Sequence, residues 1–379
     1  MSRTVELLEK LVSFASVSAA PNAPIADWIA AYLTDLGFDL HRLPGPDGKV
    51  GLLARLGPGA GGVMLSAHMD VVPAEGQAWT RDPFRLSRSA GRLYGRGATD
   101  MKGFLAAALN AAALAAQGDL KRPLILCLSY DEEVGCRGVR AMAPQIIPLV
   151  GRPDYCIVGE PTLMRIATGH KGKLAFDAEF RGTAGHSASA PRHVNALHLA
   201  ARFVLMLDAE QQRLIRSGAQ DDAYDVPSST IHAGLMSGGI ALNIVPDRAS
   251  IAFEIRHLAE DRPDDLLTPI RNGASAIVAA TGRSEAEITL HEVNAYPGLS
   301  TDPAAPVVQA VAALLPGTVA LTKVAYGTEA GFFDALGIPT VVCGPGSMDQ
   351  GHQPDEYLDR AQLDQCDAML GRLVQGQSA

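Results

Sequence analysis

The run PLILCLSYDEEVG, residues 123–135, decides the fold class, because it begins with the apolar pattern of a buried strand. Two adjacent glutamates lie just past the end of this strand. The apolar part of the run has the length of a strand and no polar alternation, as expected for a strand buried on both faces of a parallel sheet. Similar runs precede His68 (VMLSA), Glu160 (DYCIVG) and the loop that contains His352 (IPTVVCG). Ligands in open α/β sheets gather beyond the carboxyl ends of the strands, so these polar residues are predicted to meet at one sheet edge.

Helical patterns alternate with these strands. Residues 25–36 repeat apolar side chains at helical spacing and Gly37 ends the pattern, and another helix is predicted from about Met101 to Gln117. The alternation predicts an α/β domain in which helices cover both faces of a mixed, mostly parallel sheet.

The middle of the chain has a different pattern. The segment KLAFDAEFRG, residues 173–182, alternates as a half-exposed strand does, and the segments after it predict the order β-α-β-β-α-β. This is the order of the ferredoxin-like split βαβ motif. The sequence therefore predicts a discontinuous main domain, residues 1–171 and 294–379, with an inserted lid domain at residues 172–293.

Composition argues against several classes of protein. The chain is 47% hydrophobic, and its net charge of −9 without a long basic stretch argues against a nucleic-acid partner. The run FLAAALNAAALAA is too short and too rich in alanine to span a membrane, and MSRTVELLEKLVSF lacks the apolar core of a signal peptide. Five cysteines without a CxxC spacing indicate a reduced protein, so a cytoplasmic location is predicted.

Five of the polar residues near strand ends carry side chains that bind divalent metals: His68, Asp100, Glu133, Glu160 and His352. Imidazole and carboxylate without thiolate suit Zn²⁺, Co²⁺ or Mn²⁺, and two metals ~3.5–4 Å apart could share a bridging carboxylate and a water. Each residue alone is better explained as a loop histidine, a helix cap or a solvated glutamate. Jointly, those explanations require five coincidences, so a two-metal hydrolytic centre is predicted.

A family resemblance covers essentially the whole chain. The motifs SAHMDVVP, GRGATDMKG, YDEEVGCRG, VGEPT and GPGSMDQGHQPDEYL together resemble the M20 family of dinuclear zinc peptidases and deacylases. Ala67 stands where that family usually has a glycine before the metal histidine, and it is nearly as small. The implied cofactors are two divalent metal ions, with Zn²⁺ first and Co²⁺ as an alternative.

Carried over to this sequence, the resemblance implies one metal on His68 and Glu160, another on Glu133 and His352, and a bridge through Asp100. It also implies a cis peptide bond after the bridging aspartate.

Three further residues receive catalytic roles from the resemblance. Asp70 is expected to accept a hydrogen bond from the imidazole of His68 and so to fix its tautomer. Glu132 is expected to be the general base, which takes a proton from the attacking water and passes it to the leaving amine. His186, in the GTAGHS motif, is expected to stabilise the oxyanion, from the partner subunit if the chain forms a homodimer through the lid. An ordinary loop histidine is the alternative.

The substrate is also suggested by resemblance. The segment AYGTEAGFF, residues 325–333, followed by the His352 motif, is most similar to the acetylornithine deacetylase branch, which implies hydrolysis of N2-acetyl-L-ornithine to L-ornithine and acetate. Arg256 and Asn243 are candidate substrate-binding residues of the lid, although a surface ion pair explains Arg256 equally well. Glu329 would suit the cationic side chain of ornithine if its carboxylate faces the pocket.

Other functions stay open from the sequence. Families of this kind change substrates on one scaffold, so a succinyl-diaminopimelate desuccinylase, a broader aminoacylase and a dipeptidase are alternatives. A non-catalytic binding protein is the alternative from another class, and it would be expected to have lost Glu132 or a metal ligand, all of which are present. The expected partners are an N-acyl amino acid and a second copy of the chain.

Overall fold

The computed structural model describes residues 2–378, which divide into two compact units. The smaller unit consists of His170–Gly298 and Ala325–Gly327, and the remaining described residues form the larger unit. The sequence predicts residues 172–293 for the inserted domain, whereas the smaller unit extends further at both ends. It does so because its last long strand stays paired with its first as far as Tyr296, opposite Lys173.

The α-helices of the described residues are α1 (Arg3–Val12), α2 (Ala23–Asp35), α3 (Gly103–Ala115), α4 (Arg137–Val150), α5 (Ala196–Ser217), α6 (Pro263–Ala279), α7 (Pro306–Ala312), α8 (Ala330–Ala335) and α9 (Arg360–Ser378).

The β-strands of the same residues are β1 (Asp39–Pro44), β2 (Val50–Leu56), β3 (Val63–His68), β4 (Ser87–Ser89), β5 (Arg92–Tyr94), β6 (Leu124–Ser129), β7 (Tyr155–Pro161), β8 (Ile166–His170), β9 (Gly172–Arg181), β10 (Gly185–His186), β11 (Thr230–Gly238), β12 (Ile244–Val245), β13 (Arg248–His257), β14 (Glu287–Tyr296), β15 (Leu299–Ser300), β16 (Leu321–Val324), β17 (Thr340–Gly344) and β18 (Tyr357–Asp359).

The larger unit contains a mixed sheet in the order β1-β2-β6-β3-β7-β17-β8-β15, with β16 paired to β8. Its central strands β6, β3, β7 and β17 run parallel, whereas the pairs β1–β2, β2–β6 and β17–β8 are antiparallel. The predicted mixed α/β sheet is confirmed, and its parallel part is its centre. The carboxyl ends of four neighbouring strands therefore open at the same edge.

Helix α3 is buried between the sheet and neighbouring helices. Its alanine-rich sequence leaves almost every face buried, between the sheet and helices α1 and α9. Gly159 in β7 lies directly against the ring of Phe104, and a Cβ atom there would come within 1.9 Å of that ring. The glycine is thus required by packing, and the next residue in the strand is the candidate ligand Glu160.

The smaller unit has a four-stranded antiparallel sheet in the order β11-β13-β9-β14. In chain order the strands and helices follow β-α-β-β-α-β, so this is the strand order of the split βαβ motif. Helices α5 and α6 pack on it around stacked and edge-to-face aromatic rings of Phe176, Phe180, Phe203 and Phe253. Strand β11 lies at an edge of the sheet.

Within residues 2–378, no helix is long and apolar enough to cross a membrane. The five cysteines are buried as free thiols. Free thiols that are buried in this way behave as small apolar side chains.

Candidate metal centre

The carboxyl ends of the central strands bring the candidate ligands together within the larger unit. Strand β3 ends at His68, strand β7 carries Glu160, and Glu133 lies in the turn after β6. Asp100 lies in the tight turn Ala98–Lys102 that leads into α3, and its peptide bond to the next residue is cis, as the resemblance implies. His352 follows β17 in a loop.

The two candidate histidines approach the same carboxylate from opposite sides. His68 Nε2 lies 3.1 Å from Asp100 Oδ1 and 3.7 Å from Glu160 Oε1. His352 Nε2 lies 2.8 Å from Glu133 Oε2 and 3.2 Å from Asp100 Oδ2. Asp100 therefore presents one oxygen to each histidine, which is the arrangement of a carboxylate that bridges two cation positions.

Glu132 belongs to the same cluster. One donor atom each from His68, Glu132 and Glu160 lie within 4.8 Å of one another, and so do donor atoms of His68, Asp100 and Glu133. Glu132 Oε1 accepts a hydrogen bond from the thiol of Cys136, with Sγ at 3.2 Å. This contact holds the glutamate side chain from the side of helix α4.

The charges of the cluster fit divalent cations. Burial raises the pKa of Glu132 and of Glu160 well above the usual range, and burial together with the charge of Asp100 raises the pKa of Glu133 to about 7. Glu133 Oε1 is buried without a hydrogen-bond partner among the described residues. Buried carboxylates require a paired cation or a metal, so this orphaned oxygen indicates that a positive charge belongs beside it.

The carboxylates of the cluster raise the pKa of both histidines. Burial lowers the pKa of His68, but the hydrogen bond to Asp100 and the charge of Glu160 outweigh it and hold that pKa well above its usual value. Hydrogen bonds to Asp100 and Glu133 raise the pKa of His352 to about 10. Because imidazole binds a metal in its neutral form, bound cations would replace the protons that these carboxylates favour on both rings.

Asp70 orients His68 differently from the expectation. The Nδ1–H of His68 donates to the main-chain oxygen of Asp70 at 2.9 Å, whereas the carboxylate Oδ1 is 3.6 Å away. The carboxylate instead accepts the hydroxyl of Ser18 at 2.6 Å and the backbone N–H groups of Glu132 and Glu133 at 3.1 and 3.3 Å. Asp70 thus positions both glutamates, and its carbonyl leaves Nε2 of His68 as the atom that faces the cluster.

A buried ion pair that the sequence analysis missed supports the glutamate turn. Lys49 Nζ lies 2.5 Å from Asp131 Oδ1, and both side chains are buried. The same oxygen accepts the backbone N–H of Ala19 at 2.9 Å. Asp131 immediately precedes the two glutamates and has a φ of 53°, in the left-handed region that costs energy for residues other than glycine. No sequence pattern links Lys49 to this turn, because the pairing depends on the fold.

Glu329 is buried beside the end of β3. It is 1% exposed, and its Oε2 accepts the hydroxyl of Ser66 at 3.2 Å. Burial raises its pKa to about 7. Its other oxygen, Oε1, is buried without a hydrogen-bond partner among the described residues, as Glu133 Oε1 is, so a cationic partner for Glu329 stays a prediction.

The other three candidates lie in the smaller unit. His186 is exposed at the end of the short strand β10, opposite Ile244, and its Nδ1 accepts the backbone N–H of Ala188 at 3.1 Å. Asn243 is exposed as well, and its carbonyl accepts the backbone N–H of Ser187 at 3.0 Å. The loop that carries Asn243 and the loop that carries His186 are therefore joined.

Arg256 forms the ion pair that the sequence analysis left open as an alternative. Its Nε lies 3.0 Å from Glu254 Oε1, and one terminal nitrogen donates to the hydroxyl of Tyr296 at 2.6 Å. Both charged side chains are 30% exposed.

Comparison with known proteins agrees with this fold. A model of peptidase family M20/M25/M40 matches residues 64–376. The acetylornithine deacetylase of Proteus mirabilis is 35% identical over 380 residues, which cover 98% of this chain and 96% of that protein.

Solved structures share the fold at low sequence identity. An M20 family metallo-carboxypeptidase from Sulfolobus solfataricus has a TM-score of 0.79 at 18% identity, with 100% of each chain covered. The YXEP protein of Bacillus subtilis, a dinuclear metal binding peptidase of the same family, has a TM-score of 0.71 at 17% identity and covers 98% of this chain and 96% of its own. Because the family model covers most of the residues and a curated relative matches nearly the full length, this chain is a hydrolase of peptidase family M20/M25/M40.

Proposed function

We propose that this protein hydrolyses the amide bond of N2-acetyl-L-ornithine to give L-ornithine and acetate, with two divalent metal ions of which Zn²⁺ is the first choice. The reaction type rests on one observation: two histidines and four acidic residues from separated segments share a single buried cluster. The substrate rests on the relative of 35% identity, which is an acetylornithine deacetylase.

Each cation would have two ligands of its own and share a third. His68 and Glu160 would hold the first, Glu133 and His352 would hold the second, and Asp100 would bridge them. Bound cations would polarise the substrate carbonyl and lower the pKa of a water molecule between them.

Glu132 would move the proton. Its carboxylate takes a proton from the attacking water as the new C–O bond forms at the amide carbon, and then gives that proton to the nitrogen as the C–N bond breaks. The products are acetate and the free amine, so one water is consumed and no other reactant is needed. Burial raises the pKa of Glu132, and a higher pKa makes its carboxylate a stronger base. The thiol of Cys136 keeps one of its oxygens in place.

The smaller unit would complete the site through His186, Arg256 and Asn243. His186 would donate a hydrogen bond to the developing oxyanion, while Arg256 and Asn243 would bind the α-carboxylate end of the substrate. Replacing His186 with alanine is expected to lower kcat about 10²-fold or more. Its melting temperature should stay unchanged, because His186 is exposed. His198→Ala, which removes another exposed histidine of the same unit, is the matched control.

A homodimer through the smaller unit belongs to the same proposal. Strand β11 lies at the edge of its sheet and exposes Leu235 and Met236, which are 74% and 48% exposed. An exposed apolar edge strand is a site where another chain can add to a sheet. Light scattering coupled to size exclusion would show a dimer that Leu235→Lys dissociates; a monomeric wild type would contradict the proposal. A reducing cytoplasm is the compartment that five free thiols favour.

A substrate panel tests the function. The metal-loaded protein is offered N2-acetyl-L-ornithine, N-succinyl-diaminopimelate, a neutral N-acetyl amino acid and a dipeptide, and kcat/KM is measured for each. The proposal expects acetylornithine to be preferred, activity to disappear with a chelator, and activity to return on addition of Zn²⁺ or Co²⁺. A preference for another of these substrates would contradict the proposed substrate, acetylornithine, but not the proposed amide hydrolysis. Hydrolysis that survives complete metal removal would contradict the mechanism.

A further inference from the structure

We propose that Arg96 and Glu356 are positioning residues that set the distance between Asp100 and His352, and so determine how tightly the second cation is held. This inference rests on the proposed two-metal centre. It adds a function for a buried ion pair that no candidate role in the sequence analysis covers.

Glu356 holds the turn that carries Asp100. Its side chain is 1% exposed, and its carboxylate accepts the backbone N–H groups of Gly97, Thr99 and Asp100 at 3.0, 2.9 and 3.2 Å. Three backbone donors of one turn therefore converge on a single carboxylate. A left-handed φ of 82° at Gly97 starts this turn, and the carboxylate fixes its direction up to the bridging aspartate.

Arg96 joins that carboxylate to the loop of His352. The guanidinium is also 1% exposed and lies 2.7 Å from Glu356. It hydrogen-bonds the side-chain oxygen of Gln77, whose amide Nε2 donates to the main-chain oxygen of His352 at 2.8 Å. A further bond of 3.4 Å reaches the carbonyl of Gln353. One buried arginine thus connects the turn of the bridging ligand with the loop of the histidine ligand.

The first cation position depends less than the second on the contacts of Arg96, Glu356 and Gln77. His68 and Glu160 lie on β3 and β7, neighbouring strands that are directly hydrogen-bonded in parallel. His352 lies between β17 and β18 in a loop without a helix or long strand, its side chain is 43% exposed, and its φ is 60°. The sheet therefore fixes both unshared ligands of the first cation, whereas His352, an unshared ligand of the second, depends on side-chain contacts to its loop.

The selective test removes the link and leaves the buried charges in place. Gln77→Ala removes the shorter of the two connections from Arg96 to the His352 loop and leaves the 3.4 Å bond to Gln353, and Gln77 is only part-buried, so the fold should tolerate it. The matched control is Gln309→Ala. Gln309 lies in helix α7, and its side-chain Nε2 also donates to a main-chain oxygen, that of Ala304, at 3.1 Å. Metal-free proteins are titrated with Zn²⁺ in a calorimeter, and bound Co²⁺ is followed by its visible absorption.

Wild type and Gln309→Ala are expected to bind two ions per chain. Gln77→Ala should keep the first affinity and bind the second ion about threefold to tenfold more weakly, as the loss of one hydrogen bond implies. Arg96→Met should weaken the second ion on the order of 100-fold, because it also leaves Glu356 unpaired. Arg96→Met/Glu356→Gln removes both charges and should weaken the second ion more than the first, because the first ion shares only Asp100 with this network.

The inference would be overturned if Gln77→Ala bound each ion with the wild-type affinity. It would also be overturned if the variant lost affinity for both ions to the same extent. The Gln77 variant decides the question even if the Arg96 variants do not fold. A wild type that binds fewer than two ions would instead overturn the proposed metal centre, and this inference with it.

Discussion

The two units each bury a histidine completely, and they change its protonation in opposite directions. His68, in the larger unit, faces Asp100 and Glu160, whose contacts hold its pKa well above the usual value despite burial. His170, in the smaller unit, bonds the main-chain oxygen of Lys171 at 3.0 Å, and burial lowers its pKa to about 4. Burial alone therefore makes a neutral structural histidine, whereas burial among carboxylates makes a cation site.

The two units also differ in how deeply their candidate functional side chains are buried. In the larger unit, the acidic cluster is supported by the buried pairs Lys49–Asp131 and Arg96–Glu356. In the smaller unit, His186 and Asn243 are exposed, and the pair Arg256–Glu254 is partly exposed. A preorganised cluster suits the chemical step, and more exposed groups suit substrate recognition.

The largest expected effect tests the acidic cluster. Glu132→Gln should lower kcat by about 10²- to 10⁴-fold, since it removes the base and keeps the size of the side chain. Metal content, measured by elemental analysis, should stay at the wild-type value. Wild-type turnover in this variant would contradict the role of Glu132, and a variant that lost a metal would show Glu132 to be a ligand instead.

The next effect concerns the structural histidine. At pH values between 6.5, the ordinary pKa of histidine, and about 4, the pKa of His170 in the folded chain, His170 is protonated in the unfolded chain and neutral in the folded one. Stability should therefore fall as the pH drops through this window, by up to about 3 kcal/mol from a shift of roughly 2.5 units. Urea unfolding at several pH values should give a shallower pH dependence for His170→Asn than for wild type. Identical slopes would show that His170 is not buried as a neutral ring.

A smaller effect tests the thiol beside the base. Cys136→Ala should lower kcat about threefold to tenfold because Glu132 loses a hydrogen bond, and Cys136→Ser should retain most activity because a hydroxyl can donate in place of the thiol. Cys136 has a φ of 54°, so both variants meet the same backbone cost and their comparison isolates the hydrogen bond. Equal activity of the two variants would exclude this contact from the mechanism.

The smallest effect on stability is expected at Arg256. Arg256→Ala and Glu254→Gln should each change the free energy of unfolding by less than about 1 kcal/mol, because exposed ion pairs contribute little. If Arg256 also binds the substrate carboxylate, KM for acetylornithine should rise much more in Arg256→Ala than in Glu254→Gln. Equal rises would leave the ion pair as the full explanation.

Much of the acidic cluster was predictable from the sequence, because several of its metal-donor residues stand where an apolar strand pattern ends. His68, Glu133 and Glu160 follow or end β3, β6 and β7, whose buried, unalternating sequences are recognisable locally. Asp70 was assigned to the right region with the wrong contact, because its carboxylate is occupied by Ser18 and two backbone donors. Glu329 is buried, and one of its oxygens accepts the hydroxyl of Ser66. Such orientations depend on neighbours that no local pattern specifies.

The missed residues were inside or near the motifs that the sequence analysis used. Arg96 lies in GRGATDMKG and Glu356 in GPGSMDQGHQPDEYL, yet they are 260 positions apart and meet only in the folded chain. Lys49 and Asp131 are 82 positions apart and pair in the same way.

By itself, the sequence indicated the alternation of strands and helices around the metal donors, the split βαβ pattern of the middle segment and the chemical types of those donors, because each depends on residues that are neighbours along the chain. Only the tertiary structure decided which oxygen accepts from His68, that Glu329 is buried, and that one arginine connects the turn of Asp100 to the loop of His352. Those features require segments far apart in sequence to meet at hydrogen-bonding distance, and such contacts form only when the whole sheet and its loops close around them.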